Sequence, residues 1–204
     1  MCGHITTGLC ALLFLIALGL ALAMLMRPLY VWEIDRLGIA VASGLSKEEI
    51  LINYDGLIRW CMPWNKAPFY LETLPWTGDA AVHFDKVKHL FRIIYAAGAL
   101  GGAGALFLLR PIAANPGNRL RIAGAVVLAV PAVIAAWGLS NFNRAFVIFH
   151  EVLFPGDYWL FDYRVDPVIL LLPERLFLHR FVLIAATVIA GGLVLALLGR
   201  KRNL

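Results

Sequence analysis

The sequence predicts an α-helical membrane protein, a four-transmembrane-helix bundle with a small mixed α/β extracytoplasmic cap formed by two outer loops. Three observations carry this. Of 204 residues, 61% are hydrophobic and 15% charged, with mean hydropathy +0.80, against roughly 45–50% apolar content in a soluble domain. Four stretches, about 8–26, 90–109, 122–139 and 176–199, supply the roughly 20 apolar residues that a span requires. All 13 acidic residues lie between these stretches, in segments 27–89 and 140–175. The whole chain, 1–204, reads as a single membrane domain.

The first apolar stretch has no charged n-region, and it is longer than the roughly 7–15 residues of a signal-peptide core, so it reads as a retained helix. Cys10 follows Thr7-Gly8-Leu9, a faint lipobox likeness, but no hydrophobic region precedes it; a small core residue is the better reading. The link after span two carries Arg110, Arg119 and Arg121, and the tail carries Arg200, Lys201 and Arg202, with no acid in either. The positive-inside rule assigns both to the cytoplasm together with both termini, and assigns segments 27–89 and 140–175 to the outer side. The net charge of +5 is then a basic cytoplasmic rim, and no nucleic-acid partner is implied. Of Cys2, Cys10 and Cys61, only Cys61 falls outside, so no outer intramolecular disulfide can form.

The first outer segment is too long for a plain connector. Leu29 to Ile34 (LYVWEI) is rich in β-formers and predicts a short strand. Ser46-Lys-Glu-Glu49 is a capping box, followed at helical spacing by Ile50, Tyr54, Leu57 and Cys61, with Leu51 and Ile58 on the same side. Three prolines break the stretch Pro63 to Trp76, and Trp60, Trp64 and Trp76 are rings of the kind favoured at headgroup level. Thr77 or Asp79 can cap a helix running from about Ala80 into span two. Gly98 and Gly102 permit close helix contact there, and Pro131 predicts a kink in span three. In the second outer segment, Pro155-Gly156 predicts a turn, Trp159 and Phe161 anchor a short strand, and Asp157 bonds backbone amides.

Five histidines are candidates for proton transfer near neutral pH. His4 and His179 read as solvated or interfacial, and His89, six residues after His83, points to another side of its helix. His83 and His150 both project from outer helix ends, as an acid–base pair from separate elements would. Zinc is the rival chemistry, with Asp85, Glu151 and Asp157 as further donors, although neither His-Glu-x-x-His nor paired Cys-x-x-Cys occurs. A quinone-linked thiol oxidase needs outer cysteine pairs, which this chain lacks, and there is no Gly-x-Ser-x-Gly elbow.

The segment Phe149 to Glu174 is the most specific part of the chain. With Asn53-Tyr54, His83-Phe84, Val87-Lys88 and Leu90-Phe91, its run FHEVLFPGDYWLFD followed by DPVILLLPE resembles the lipoprotein intramolecular transacylase family of bacterial membrane proteins over essentially the whole chain. The resemblance implies transfer of the sn-2 acyl chain of a diacylglyceryl lipoprotein to the α-amino group of its N-terminal cysteine, giving the N-acyl lyso-form. It makes His83 and His150 the catalytic residues. One departure is Lys86, where the family usually has an acid before the valine.

Exchanging an ester for an amide is downhill, so no cofactor or metal is expected. The expected partners are diacylglyceryl-modified lipoproteins and membrane lipids. The chain is expected to act as a monomer in the bacterial cytoplasmic membrane, with the site outside. Asn53, Tyr54, Arg144, Asp157, Trp159 and Asp166 are candidates for orienting the lipid head or tuning the histidines. The alternatives are a non-catalytic lipoprotein scaffold or chaperone and a zinc-dependent lipid hydrolase.

Overall fold

The computed structural model describes residues 2–109 and 116–201. Arg110 and Arg202, part of the basic link and tail, lie outside the described residues. Eight α-helices follow in order among them: α1 (Cys2–Leu25), α2 (Arg27–Arg36), α3 (Ile39–Ser43), α4 (Lys47–Cys61), α5 (Gly78–Leu108), α6 (Pro116–Ser140), α7 (Phe142–Leu153) and α8 (Glu174–Lys201), with a 3₁₀ turn at Pro167–Leu171. Helices α1, α5, α6 and α8 contain the four segments long and apolar enough to cross a membrane. Among the described residues there is no strand, so the cap is helical and not mixed α/β.

Contacts divide the chain into two compact units. One comprises Met1–Ala23, Ile93–Asn141 and Arg180–Leu204, the other Met24–Arg92 and Phe142–His179. In the first, small residues let helices approach closely. A methyl group placed on Gly101 would meet the Cys10 carbonyl oxygen at 2.5 Å and Leu13 Cβ at 2.9 Å. Gly124 lies as near the backbone of Gly192 and Ala196. Ala11, Ala105, Val127 and Val188 form the buried centre of this unit.

The second unit has its own core of Tyr30, Ile34, Ile39, Ile50, Tyr54, Leu57, Trp60, Phe69, Phe84, Val168 and Leu171, among others. The strand expected over Leu29–Ile34 is helix α2. Pro28 sits in its first turn, where a missing N–H costs nothing. The burial pattern shows the period. Tyr30, Glu33 and Ile34 are buried while Trp32 is 54% exposed, whereas alternation would have grouped Tyr30, Trp32 and Ile34. The short strand expected around Trp159 and Phe161 is likewise replaced by turns, with Gly156 at φ 102°.

Helix α4 begins as expected: the Ser46 hydroxyl accepts from the Glu49 N–H and the Glu49 carboxylate accepts from the Ser46 N–H, both halves of the box. Its apolar face packs on protein. Trp60 departs from the expected headgroup position. It is 5% exposed and its indole N–H donates to the carbonyls of Ala67 and Pro68, both at 3.0 Å, leaving Trp64 and Trp76 as the exposed rings.

Helix α5 starts at a tightly held point. Asp166 accepts from the Thr77 N–H at 2.7 Å and the Thr77 hydroxyl at 2.8 Å, while that hydroxyl accepts from the Ala80 N–H as an N-cap. Asp166 is 4% exposed, and losing it leaves the part-buried N–H and hydroxyl of Thr77 without their acceptor. Asp166→Ala is expected to lower stability by about 1–3 kcal/mol, read as thermal unfolding in detergent. Gly101→Ala should lower the same midpoint by overpacking, about 1–3 kcal/mol. Gly78→Ala should not, because nothing lies within 4 Å of the added methyl.

Candidate active site

His83 lies in the second turn of α5, and His150 near the end of α7. The helical spacing of α7 places Phe146, His150 and Leu153 on adjoining positions, with Phe142 one turn earlier. The two imidazoles come together with ring centroids 5.8 Å apart and planes 27° from parallel. Both are buried, at 6% and 8% exposure.

The wall around them is aromatic. Phe154 touches both rings, with centroids 5.0 Å from His83 and 5.6 Å from His150. Phe161 meets His83 edge-on at 5.3 Å, Trp159 lies 4.9 Å from His150, and Phe146 lies 4.2 Å from it. Nδ1 of His150 is 2.8 Å from the Phe146 carbonyl oxygen. An oxygen of that kind only accepts, so Nδ1 carries the proton and Nε2 keeps its lone pair. Burial pushes the His150 pKa below its ordinary value, partly opposed by the bond to Phe146. At neutral pH this imidazole is therefore a neutral base. Nδ1 of His83 is buried with no hydrogen-bond partner, a polar atom left for something else to satisfy.

Of the six head-orienting candidates, Trp159 lies against the histidine pair, its ring 4.9 Å from that of His150. Asn53 is a fastener: its amide donates to the Glu49 carbonyl and the Thr73 hydroxyl, and its oxygen accepts from the Thr73 N–H. Tyr54 stacks on Tyr30 at 3.4 Å, whose hydroxyl donates to the Leu171 carbonyl. Asp166 holds Thr77. Arg144 and Asp157 are exposed, and the Asp157 carbonyl accepts from the Leu160 N–H in a turn.

Lys86 is an anchor in place of the acid. Its ammonium sits 4.1 Å over the Tyr158 ring and 3.5 Å from the Pro155 carbonyl oxygen, tying the Phe154–Phe161 turn to α5. Phe154 was not singled out from sequence, Phe161 was read only as an anchor of a short strand, and Phe146 was findable only by counting one turn back from His150. His179, read from sequence as solvated or interfacial, donates to the fully buried Glu33 at 2.7 Å. Cys61 is 4% exposed and burial pushes its thiol up to about 12, so it is no nucleophile. Among the described residues no group of three or more His, Cys, Asp or Glu side chains is placed to share a metal ion.

Comparison with known proteins gives the family. The profile described as "Lipoprotein intramolecular transacylase Lit" matches residues 5–177. A solved structure of the membrane-integral lipoprotein intramolecular transacylase Lit from Bacillus cereus is similar with TM-score 0.87 and 28% identity, over 98% of this chain and 96% of that one. Two structures of the same Bacillus cereus protein, with one histidine replaced by arginine or by alanine, each give TM-score 0.82 and 28% identity. They cover 98% of this chain and 89% and 91% of theirs. No curated protein sequence matches the chain. A histidine pair in an aromatic wall, carried on a chain that contains four apolar spans and matches this profile over most of its length, leads to one assignment: the chain belongs to the lipoprotein intramolecular transacylase family.

Proposed function

We propose that this protein moves the sn-2 acyl chain of a diacylglyceryl lipoprotein to the α-amino group of its own N-terminal cysteine, on the outer side of the bacterial cytoplasmic membrane, with His83 and His150 as the acid–base pair. The observation that carries the reading is the approach of the two buried imidazoles to 5.8 Å, one with its tautomer fixed and the other with an orphaned nitrogen.

The chemistry follows from these groups. An α-ammonium has a pKa of roughly 7.7–8.0 and must lose a proton before it can attack. Nε2 of His150 accepts a proton as the nitrogen forms its bond to the ester carbonyl carbon. The N–H of neutral His83 hydrogen-bonds the oxyanion, and the imidazolium formed at His150 returns its proton to the departing glycerol oxygen. The C–O bond then breaks, the glycerol oxygen takes a proton, and an amide with a free hydroxyl remains. One proton of the original ammonium leaves to solvent, so the ledger of atoms closes without nucleotide or metal. Amine and ester belong to one molecule, so holding the head in place supplies a large share of the acceleration. The aromatic wall excludes water that would hydrolyse the ester.

Expression in a bacterium lacking other N-acylating activity, followed by mass spectrometry of a reporter lipoprotein's N-terminal peptide, should yield the N-acyl lyso-form. Persistent diacylglyceryl-cysteine with a free amine would contradict the proposal. His83→Ala and His150→Ala should each lower turnover about 10²–10⁴-fold while the protein stays folded. Full activity in either folded variant would favour a scaffold.

The depressed His150 pKa sets the pH dependence. The base is charged and idle only below its lowered value, so kcat/KM should fall first as the substrate amine protonates near roughly 7.7–8.0 and again in a second acid limb with its midpoint below about 6.5. The same shift makes the folded protein the poorer proton binder. Its stabilising contribution is full above about pH 6.5 and is lost as pH falls through the lowered value, so unfolding is monitored alongside the rate. Turnover that rises as pH falls below 6 would contradict the assignment.

A further inference from the structure

We infer that the cavity where α2 ends and α8 begins binds an acidic side chain of the lipoprotein's own peptide, a few residues after the lipidated cysteine. This deepens the acyl-transfer reading and rests on it. The cavity has a volume of about 460 Å³ and is lined by Arg36, Leu37, Pro173, Glu174 and Arg175.

Its two guanidiniums are unusual for this unit. Arg27 pairs with Asp55, Arg59 with Glu72 and Arg164 with Asp162, while Arg92 donates to the carbonyls of Pro63 and Asn65. Arg36 and Arg175 both line the cavity, are solvent-exposed, and have no side-chain hydrogen bond or ion pair among the described residues. Two unpaired arginines lining one cavity suit a carboxylate, which a guanidinium can bind in bidentate fashion. The one acid in the lining, Glu174, has an oxygen turned to the Asn143 amide at 2.9 Å, so the space keeps a positive balance. Leu37 and Pro173 offer apolar surface for the methylenes of the bound side chain.

Register relates the cavity to the reaction. Asn143, which holds Glu174, and His150 are seven positions apart on α7, two turns on the same face and about 10 Å along the axis. Extended peptide covers roughly 3.3 Å per residue. With the α-amine at His150, the third or fourth residue after the cysteine therefore reaches the arginines. A phospholipid phosphate has similar chemistry, but the link from Glu174 to the helix carrying His150 sets the cavity at a fixed distance from the reacting amine, which favours a peptide group.

The test uses full-length protein in phosphatidylcholine nanodiscs and synthetic diacylglyceryl-cysteine peptides carrying Asp or Lys at the third and fourth following residues. N-acylation is followed by mass spectrometry. The Asp peptide should exceed the Lys peptide in kcat/KM by about tenfold or more, chiefly through KM. In the Arg36→Ala, Arg175→Ala double variant the ratio should fall towards one. Should that variant not fold, the wild-type ratio must still shrink as salt is raised and in Arg175→Gln alone. N-acylation indifferent to peptide charge, or an unchanged ratio in the variants, overturns this inference and leaves acyl transfer standing. So does a charge preference that appears only when phosphatidylglycerol is present, which assigns the arginines to a lipid phosphate. No N-acylation of any peptide overturns the acyl-transfer reading, and this one with it.

Discussion

A single buried carboxylate decides where helix α5 begins, and the candidate site depends on that. Asp166 grips both the amide and the hydroxyl of Thr77, and the same hydroxyl caps the first turn of the helix. His83 follows six residues later. One residue of slippage at this start would swing its side chain by about 100° around the axis, away from His150. The partner that prevents this comes from the segment after α7, so the element carrying His83 and the stretch following His150 are fastened to each other before any side chain in the site is considered. Other fasteners in the unit act alike: the Asn53 amide secures Thr73, and the Tyr30 hydroxyl secures Leu171.

With the backbone fixed, the aromatic wall sets the electrostatics. Phe146, Phe154, Trp159 and Phe161 surround the two imidazoles without offering them a charge. The Phe146 carbonyl then commits one tautomer of His150. Polar atoms in such surroundings are costly unless a partner arrives, and the orphaned Nδ1 of His83 is such an atom. A lipid head with an amine, an ester and a glycerol oxygen supplies partners of the right kind. Lys86 contributes from outside by holding the Tyr158 turn, which explains how a cation stands where an acid might be expected: its work is on the loop.

Much of this was legible in the sequence, for identifiable reasons. Apolar length alone reveals the spans, since lipid demands it, and the Ser46–Glu49 box announces α4 because its spacing has few other uses. His83 and His150 stood out as histidines at outer helix ends and the family resemblance paired them, but their approach to 5.8 Å was not in the sequence. The strand reading of Leu29–Ile34 failed because β-forming residues were weighed above the period, and the period belonged to a buried helix face with Glu33 inside it. The contact that accompanies Glu33's burial comes from His179, 146 residues away, and so is not readable from local sequence. Asn53 and Asp166 look like site residues in sequence for a related reason: buried polar groups that fasten loops and those that touch substrate are the same residue types. Only their partners tell them apart.

The central claim is that the acyl chain reaching the amine comes from the same lipoprotein. A reporter lipoprotein deuterated only in its sn-2 acyl chain, reacted in unlabelled membranes, tests it directly. The account predicts that the amide-linked chain in the N-terminal peptide carries the full deuterium label and that the glycerol loses it. An unlabelled amide-linked chain, drawn from surrounding phospholipid, would contradict it.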